Sequence, residues 1–175
     1  MAADDDEHAA AAIARSLHPL FMDGRIWLDG QEVTEAIRQE SIGAAASRLA
    51  VFPAVRSALV TTQHQFRAAP GLVADGRDMG TVIFPDAELK IFLTADVESR
   101  AERRHKQLIE KGFSASISDL LRVLRERDER DANRAVSPLR AAEGAIVIDS
   151  TKLSIEATVE RVVAAWTSRA AAARS

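Results

Sequence analysis

The sequence predicts an α/β fold built on a parallel sheet, and three observations carry that prediction. Residues 71–75, 90–94 and 145–149 are short apolar runs bounded by turn residues, the pattern of strands covered on both faces. Segments with helical spacing lie between and after these runs, giving strand–helix–strand order. The chain of 175 residues is 47% hydrophobic and 28% charged, a globular composition long enough for one ordinary core with a small insert.

The elements before the first run read differently. Residues 4–17 predict a helix, with Asp4, Asp5, Asp6 and Glu7 at its positive end and Arg15 near its negative end. Two Asp-Gly pairs, Asp23-Gly24 and Asp29-Gly30, separate residues 20–22, 25–28 and 31–33, which predicts a small antiparallel meander with Trp27 on its apolar face. Residues 34–51 predict one helix. Pro53 suits the first turn of another, over residues 54–68, which Pro70-Gly71 ends.

After the run at 71–75, residues 90–94 form the second predicted strand, favoured over helix by Phe92 and Ile91 and by the nearby Pro85. A helix is expected from Asp96 to about Lys111, stopped by Gly112. The next helix, from Ser116 or Ser118 to about Ala135, has its apolar residues only in its first half, so its second half is not expected in a core. The third strand, 145–149, leads to a final amphipathic helix capped by Ser154 and carrying Ile155, Val159, Val162, Val163 and Trp166.

Several functions are excluded or disfavoured. Cysteine is absent, which removes disulfides and thiolate metal sites. His8, His18, His64 and His105 are scattered without metal-ligand spacing. The net charge of −3 argues against general nucleic-acid binding. No apolar run approaches a membrane span, and the acidic N-terminus is unlike a secretory signal, so a cytoplasmic protein is expected. Of 23 basic residues only four are lysine, and arginines crowd between Arg100 and Arg134.

The loop after residue 75 is the first candidate site. Open α/β sheets bind ligands at the C-terminal ends of their strands. Here Arg77 offers a planar cation for phosphate or carboxylate and Asp78 an acceptor for a hydroxyl or base amine, while Gly76 and Gly80 permit sharp turns. The same residues also fit a solvated loop with a local ion pair. Arg127, Asp131 and Arg134 are spaced to share a helix face, and Arg130 faces Arg134 at i, i+4, a repulsion that an anion would relieve. This pattern fits a lid over phosphates, or equally a solvated helix laced with Glu126, Asp128 and Glu129. Ser47 and Arg56, on consecutive helices around Pro53, and Arg103 with Arg104, after the second strand, are weaker candidates. No Gly-x-x-x-x-Gly-Lys-Ser/Thr or Gly-x-Gly-x-x-Gly occurs in these residues.

With those residues in view, the sequence resembles bacterial cytidylate kinase, of the nucleoside monophosphate kinase group, over residues 14–166. The resemblance rests on Ala74-Asp-Gly-Arg-Asp-Met-Gly-Thr-Val-Ile-Phe-Pro-Asp-Ala87, Arg100-Ala-Glu-Arg-Arg104, Gln107-Leu-Ile-Glu-Lys-Gly-Phe113, Arg127-Asp-Glu-Arg-Asp-Ala-Asn-Arg-Ala135 and Ile148-Asp-Ser-Thr151. It implies ATP-dependent phosphorylation of CMP or dCMP with Mg²⁺, by a monomer. Ser47, Arg56 and Asp78 match positions that recognise cytosine, and Arg77 one that contacts the acceptor nucleotide. Arg127 and Asp131 match positions that read ribose hydroxyls. Arg134 matches a lid arginine near the phosphates, with Arg130, Arg103 and Arg104 assisting; catalytic roles thus fall to Arg77, Arg130 and Arg134. No metal ligand is assigned.

The resemblance further implies a partial P-loop kinase sheet, about three of five core strands. Residues 1–69 would be the CMP-binding insert with connecting helices, and residues 70–175 the core, including a lid over about 112–135. The family's phosphate loop, its lysine and its magnesium-binding hydroxyl have no counterpart here. The expectation is therefore a cytidylate kinase sequence without its N-terminal ATP-binding portion, through a truncated gene or a start at an internal methionine. It would be inactive as given; a CMP-binding or interaction module without catalysis, or a fragment that does not fold, is the alternative.

Overall fold

The computed structural model describes residues 2–172, with side chains from residue 6 onward. The side chains of Asp4 and Asp5 lie outside these described residues, as do residues 173–175. The chain separates into two compact units, Met1–Asp75 with Arg134–Val136, and Gly76–Asn133 with Ser137–Ser175.

In the first unit, α1 (Ala2–Ser16) precedes a three-stranded antiparallel sheet of β1 (Leu20–Met22), β2 (Arg25–Leu28) and β3 (Gln31–Glu32). Asp23, Gly24, Asp29 and Gly30 all have positive φ, from 49° to 77°, as the tight turns of the predicted meander require. Thr34 closes the sheet by accepting the Ile26 amide on its hydroxyl at 2.9 Å. α2 (Glu40–Leu49) and α3 (Pro53–Gln65) follow, with Pro53 in the first turn of α3.

α1 and α3 meet through small residues. Ala11, Ala14 and Val55 are buried, with Phe52, Ala58 and Leu59 around them. Alanines on α1 thus allow close approach as well as favouring helix. Phe52 at the N-cap of α3 has no side-chain acceptor, and Glu7 of α1 supplies one, taking the Ala54 amide at 2.8 Å.

One predicted element divides. The single helix expected over 34–51 is a tight turn, Ala36–Arg38, followed by α2. Val33 and Thr34 stay tied to Ile26, and Gln39 returns to extended backbone (φ −68°, ψ 144°) before α2 begins.

The second unit contains β4 (Ile91–Thr94), α4 (Val97–Glu110), α5 (Ile117–Asn133), β5 (Ile146–Asp149) and α6 (Ile155–Ala172). β4 and β5 are parallel, Ile91 opposite Ile146 through Thr94 opposite Asp149. The crossover between them holds α4 and α5, as parallel pairing demands. Ser154 caps α6 as predicted, accepting the Ala157 amide at 3.1 Å, and Asp96, at the predicted start of α4, accepts the Ser99 amide at 2.6 Å. Gly112 takes φ 81° just after α4. Ile83, Phe84, Ala101, Leu120 and Ile148 are this unit's buried apolar residues.

The parallel sheet has two strands among the described residues, so the expectation of three is corrected. Residues 71–75 form no strand; they are exposed, Val73 completely. An extended segment becomes a strand only when a neighbouring edge takes its N–H and C=O groups, and none pairs with this one. The apolar face of α6 is formed as predicted in spacing, yet α6 buries no residue, and Ile155, Val159, Val163 and Trp166 are each at least half exposed.

Candidate functional site

The loop after Asp75 turns through a π-helical segment, Met79–Ile83. Its geometry centres on Asp78, whose backbone carbonyl accepts from the amides of Thr81, Val82 and Ile83 at 3.3, 2.9 and 3.2 Å and from the Thr81 hydroxyl at 3.3 Å. Asp78 itself is 7% exposed. Space around the glycines here is tight. A Cβ at Gly76 would lie 3.0 Å from the Met79 side chain, and one at Gly80 would lie 3.3 Å from the Lys90 stem.

Arg77 points its guanidinium at α5. Its Nε donates to Asp131 Oδ2 at 3.1 Å, and Arg127 Nε stands 3.9 Å from the same oxygen. Asp131 is 2% exposed, the most buried charged residue among those described. The expectation that the second half of α5 contributes nothing to an interior is therefore corrected. That half carries no large apolar side chain, but it buries a carboxylate between two guanidiniums, where opposite charge offsets desolvation.

The predicted site residues divide between the units. Ser47 (buried, on α2), Arg56 (half-buried, on α3) and Arg134 (buried) belong to the first. Arg56 Nη1 donates to the Ala50 carbonyl at 3.4 Å. Arg77, Asp78, Arg103, Arg104, Arg127, Arg130 and Asp131 belong to the second. Arg134 lies just beyond Asn133, the last residue of α5.

Arg103 turns toward the end of β5. Its guanidinium donates to the Ser150 carbonyl, to Ser150 Oγ at 3.3 Å, and to the Thr151 and Leu153 carbonyls at 3.4 Å. Arg104 and Arg130 are half-buried and partnered. Nearby, the Asp149 carboxylate takes the Thr151 amide at 2.8 Å. Hydrogen bonds from Thr151 hold the Asp149 pKa below its ordinary value, as those from Ser99 do for Asp96.

Sequence reasoning missed the ties between α4 and α5. Arg100 grips Asp128 with both terminal nitrogens, one at 2.9 Å, and Arg125 reaches Glu98 at 2.7 Å. Asp128 had only local partners in prospect, because periodicity carries no information about partners on another helix.

A family model described as Cytidylate kinase matches residues 1–168. The chain belongs to the cytidylate kinase family. A cytidylate kinase of Bordetella bronchiseptica is 58% identical over 161 residues, covering 92% of this chain and 72% of that protein. One of Paraburkholderia phymatum is likewise 58% identical over 161 residues, with 71% of its length covered. One of Burkholderia mallei is 57% identical over 160 residues, with 91% of this chain and 70% of that protein covered. The parallel β4–β5 pair and the antiparallel β1–β3 sheet are consistent with part of a kinase fold. No helix among the described residues is long and apolar enough to cross a membrane.

Proposed function

We propose that this chain carries the acceptor side of a cytidylate kinase site. It binds CMP or dCMP and, as a polypeptide of these 175 residues alone, does not transfer phosphate to it. The observation that carries the reading is the charged set on the second unit. Buried Asp78 sits in a turn, next to an Arg77 whose guanidinium is tied to buried Asp131. An acceptor for a base amine beside an oriented cation is what a nucleoside monophosphate requires.

The family likeness supports the remaining assignments. Ser47, Arg56 and Asp78 recognise the cytosine ring. Arg127 and Asp131 serve the ribose. Arg77, Arg130 and Arg134 neutralise phosphoryl charge, assisted by Arg103 and Arg104, and α5 is part of the lid. The polypeptide acts as a monomer.

ATP and Mg²⁺ do not fit the residues present. A nucleoside triphosphate is cradled by successive backbone N–H groups of a glycine-rich loop with a following lysine and a hydroxyl for the metal. No Gly-x-x-x-x-Gly-Lys-Ser/Thr occurs in the 175 residues, and no cluster of three His, Asp or Glu among the described residues is arranged to hold a metal.

The test is a steady-state assay of this polypeptide with ATP, Mg²⁺ and CMP. We expect no CDP above background. Turnover in the range of about 1–100 s⁻¹, usual for kinases, would overturn the non-catalytic reading.

A further inference from the structure

α1 and α3 touch through small side chains, with Ala11, Ala14 and Val55 buried between them. Apolar contact of this kind is non-directional, so it does not by itself fix how far α3 sits along α1. A directional tie is also present. The half-buried Glu7 carboxylate accepts the Ala54 amide at 2.8 Å, across 47 positions of sequence. Ala54 is the first amide of α3 that the backbone leaves to a side chain: the Phe52 amide returns to the Leu49 carbonyl at 3.1 Å, and Pro53 has no N–H. The negative charge of Glu7 also suits the positive end of a helix.

The first turn of α3 carries more than its own cap. Residues 50–52 join α2 to α3, with Ser47 in the last turn of α2, 5% exposed, and Arg56 in the first turn of α3. Arg56 is bonded to this joint twice. Its amide donates to the Phe52 carbonyl at 3.1 Å and its Nη1 to the Ala50 carbonyl at 3.4 Å. Arg56 is thus borne by the same turn that Glu7 holds.

We infer that Glu7 is a positioning residue for recognition of the nucleobase. Its carboxylate fixes the first turn of α3 from outside the α2–α3 pair, and so sets where Arg56 stands relative to Ser47. Glu7 touches no ligand in this scheme and acts through the Ala54 amide. The inference rests on the acceptor-site reading above, in which Ser47 and Arg56 recognise the ring, and extends it to a residue on a different helix.

The experiment compares the 175-residue chain with Glu7→Ala and Glu7→Gln, each checked for folding by circular dichroism. Glutamine keeps an acceptor oxygen and gives up the charge, so its behaviour isolates the hydrogen bond. Without nucleotide, the Ala54 amide should exchange slowly in the parent and in Glu7→Gln and fast in Glu7→Ala, and the Arg56 amide resonance should shift in Glu7→Ala. Fast exchange of Ala54 in the folded parent, or an unmoved Arg56 resonance, would overturn the positioning role whatever CMP does. Titrations followed by NMR then compare CMP with ribose 5-phosphate, which lacks the base. Glu7→Ala should weaken CMP about five-fold, the scale of one lost cap, and leave ribose 5-phosphate within about two-fold, while Glu7→Gln should bind CMP like the parent. Equal losses for the two ligands, or a Gln variant as impaired as the Ala variant, would overturn the inference. A parent chain that protects the Ala54 amide but binds neither ligand would instead overturn the acceptor-site reading, and with it the role toward the base, while the Glu7 anchor of α3 stands.

Discussion

Residues 71–75 and residues 90–94 carry the same local message and meet different ends. Each is a short apolar run bounded by turn residues. The second becomes β4, in register with β5, and its opposite number Ile148 is buried. The first pairs with nothing, and its Val73 is wholly exposed. A strand is therefore a property of two segments, not one. Apolar β-favouring residues make a run eligible, and an available edge decides the outcome. The comparison also bears on function, because the unpaired run leads directly into Gly76, Arg77 and Asp78. Those residues are nonetheless organised, from another direction: Asp131 of α5 holds Arg77, and the π-turn fixes Asp78.

Substitutions can break or sharpen this contrast. The largest effect is expected in the paired sheet, where Ile148→Ala should cost about 2–4 kcal/mol in urea denaturation. A loss much below 1 kcal/mol would mean that β5 does not anchor its unit. Asp131→Ala should come next, at about 2 kcal/mol, because it strands two guanidiniums while the partly exposed Arg77 can recover water. Arg100→Ala, which breaks a one-third-exposed bidentate pair, should cost about 1 kcal/mol or less, and molar salt should shrink that difference.

A modest effect of pH concerns the strand ends and the start of α6. Asp96, Asp149 and Glu156 have pKa values lowered by hydrogen bonds from Ser99, Thr151 and the first turn of α6. Their contribution is fully present above the ordinary carboxylate range and is lost as pH falls through the lowered folded values. Urea midpoints should hold steady from pH 7 to 5 and decline below pH 4; no decline would remove these caps from the account. The smallest effect should come from Val73→Ser, within about 0.5 kcal/mol of the parent. A cost above 1 kcal/mol would show residues 71–75 to be packed, and the contrast between the two runs would fail.

Much of this was legible in the sequence. The Asp-Gly turns dictate φ > 0 and with it the β1–β3 meander. Asp96, Ser154 and Gly112 mark helix ends because their chemistry is local. The apolar spacing of α6 was also readable, but what it lies against was not: Val159 and Trp166 report a face and say nothing of a partner. The same limit hid the Arg100–Asp128 pair, whose members are far apart in sequence. Arg77 and Asp78 stood out by their place after an apolar run, and Arg127 and Asp131 by their helical spacing; the likeness to cytidylate kinases then suggested their roles. The burial of Asp131 ran against the pattern, since a helix half with no large apolar residue reads as solvated until its charge partners are located in space.

The acceptor chemistry should be complete in this polypeptide without a phosphate loop. The direct measurement is a calorimetric titration of the folded 175-residue chain with CMP, with no ATP present. A saturable, salt-sensitive binding heat, stronger for CMP than for cytidine, is the predicted result. A folded chain that gives no heat and no displacement at millimolar CMP would contradict it.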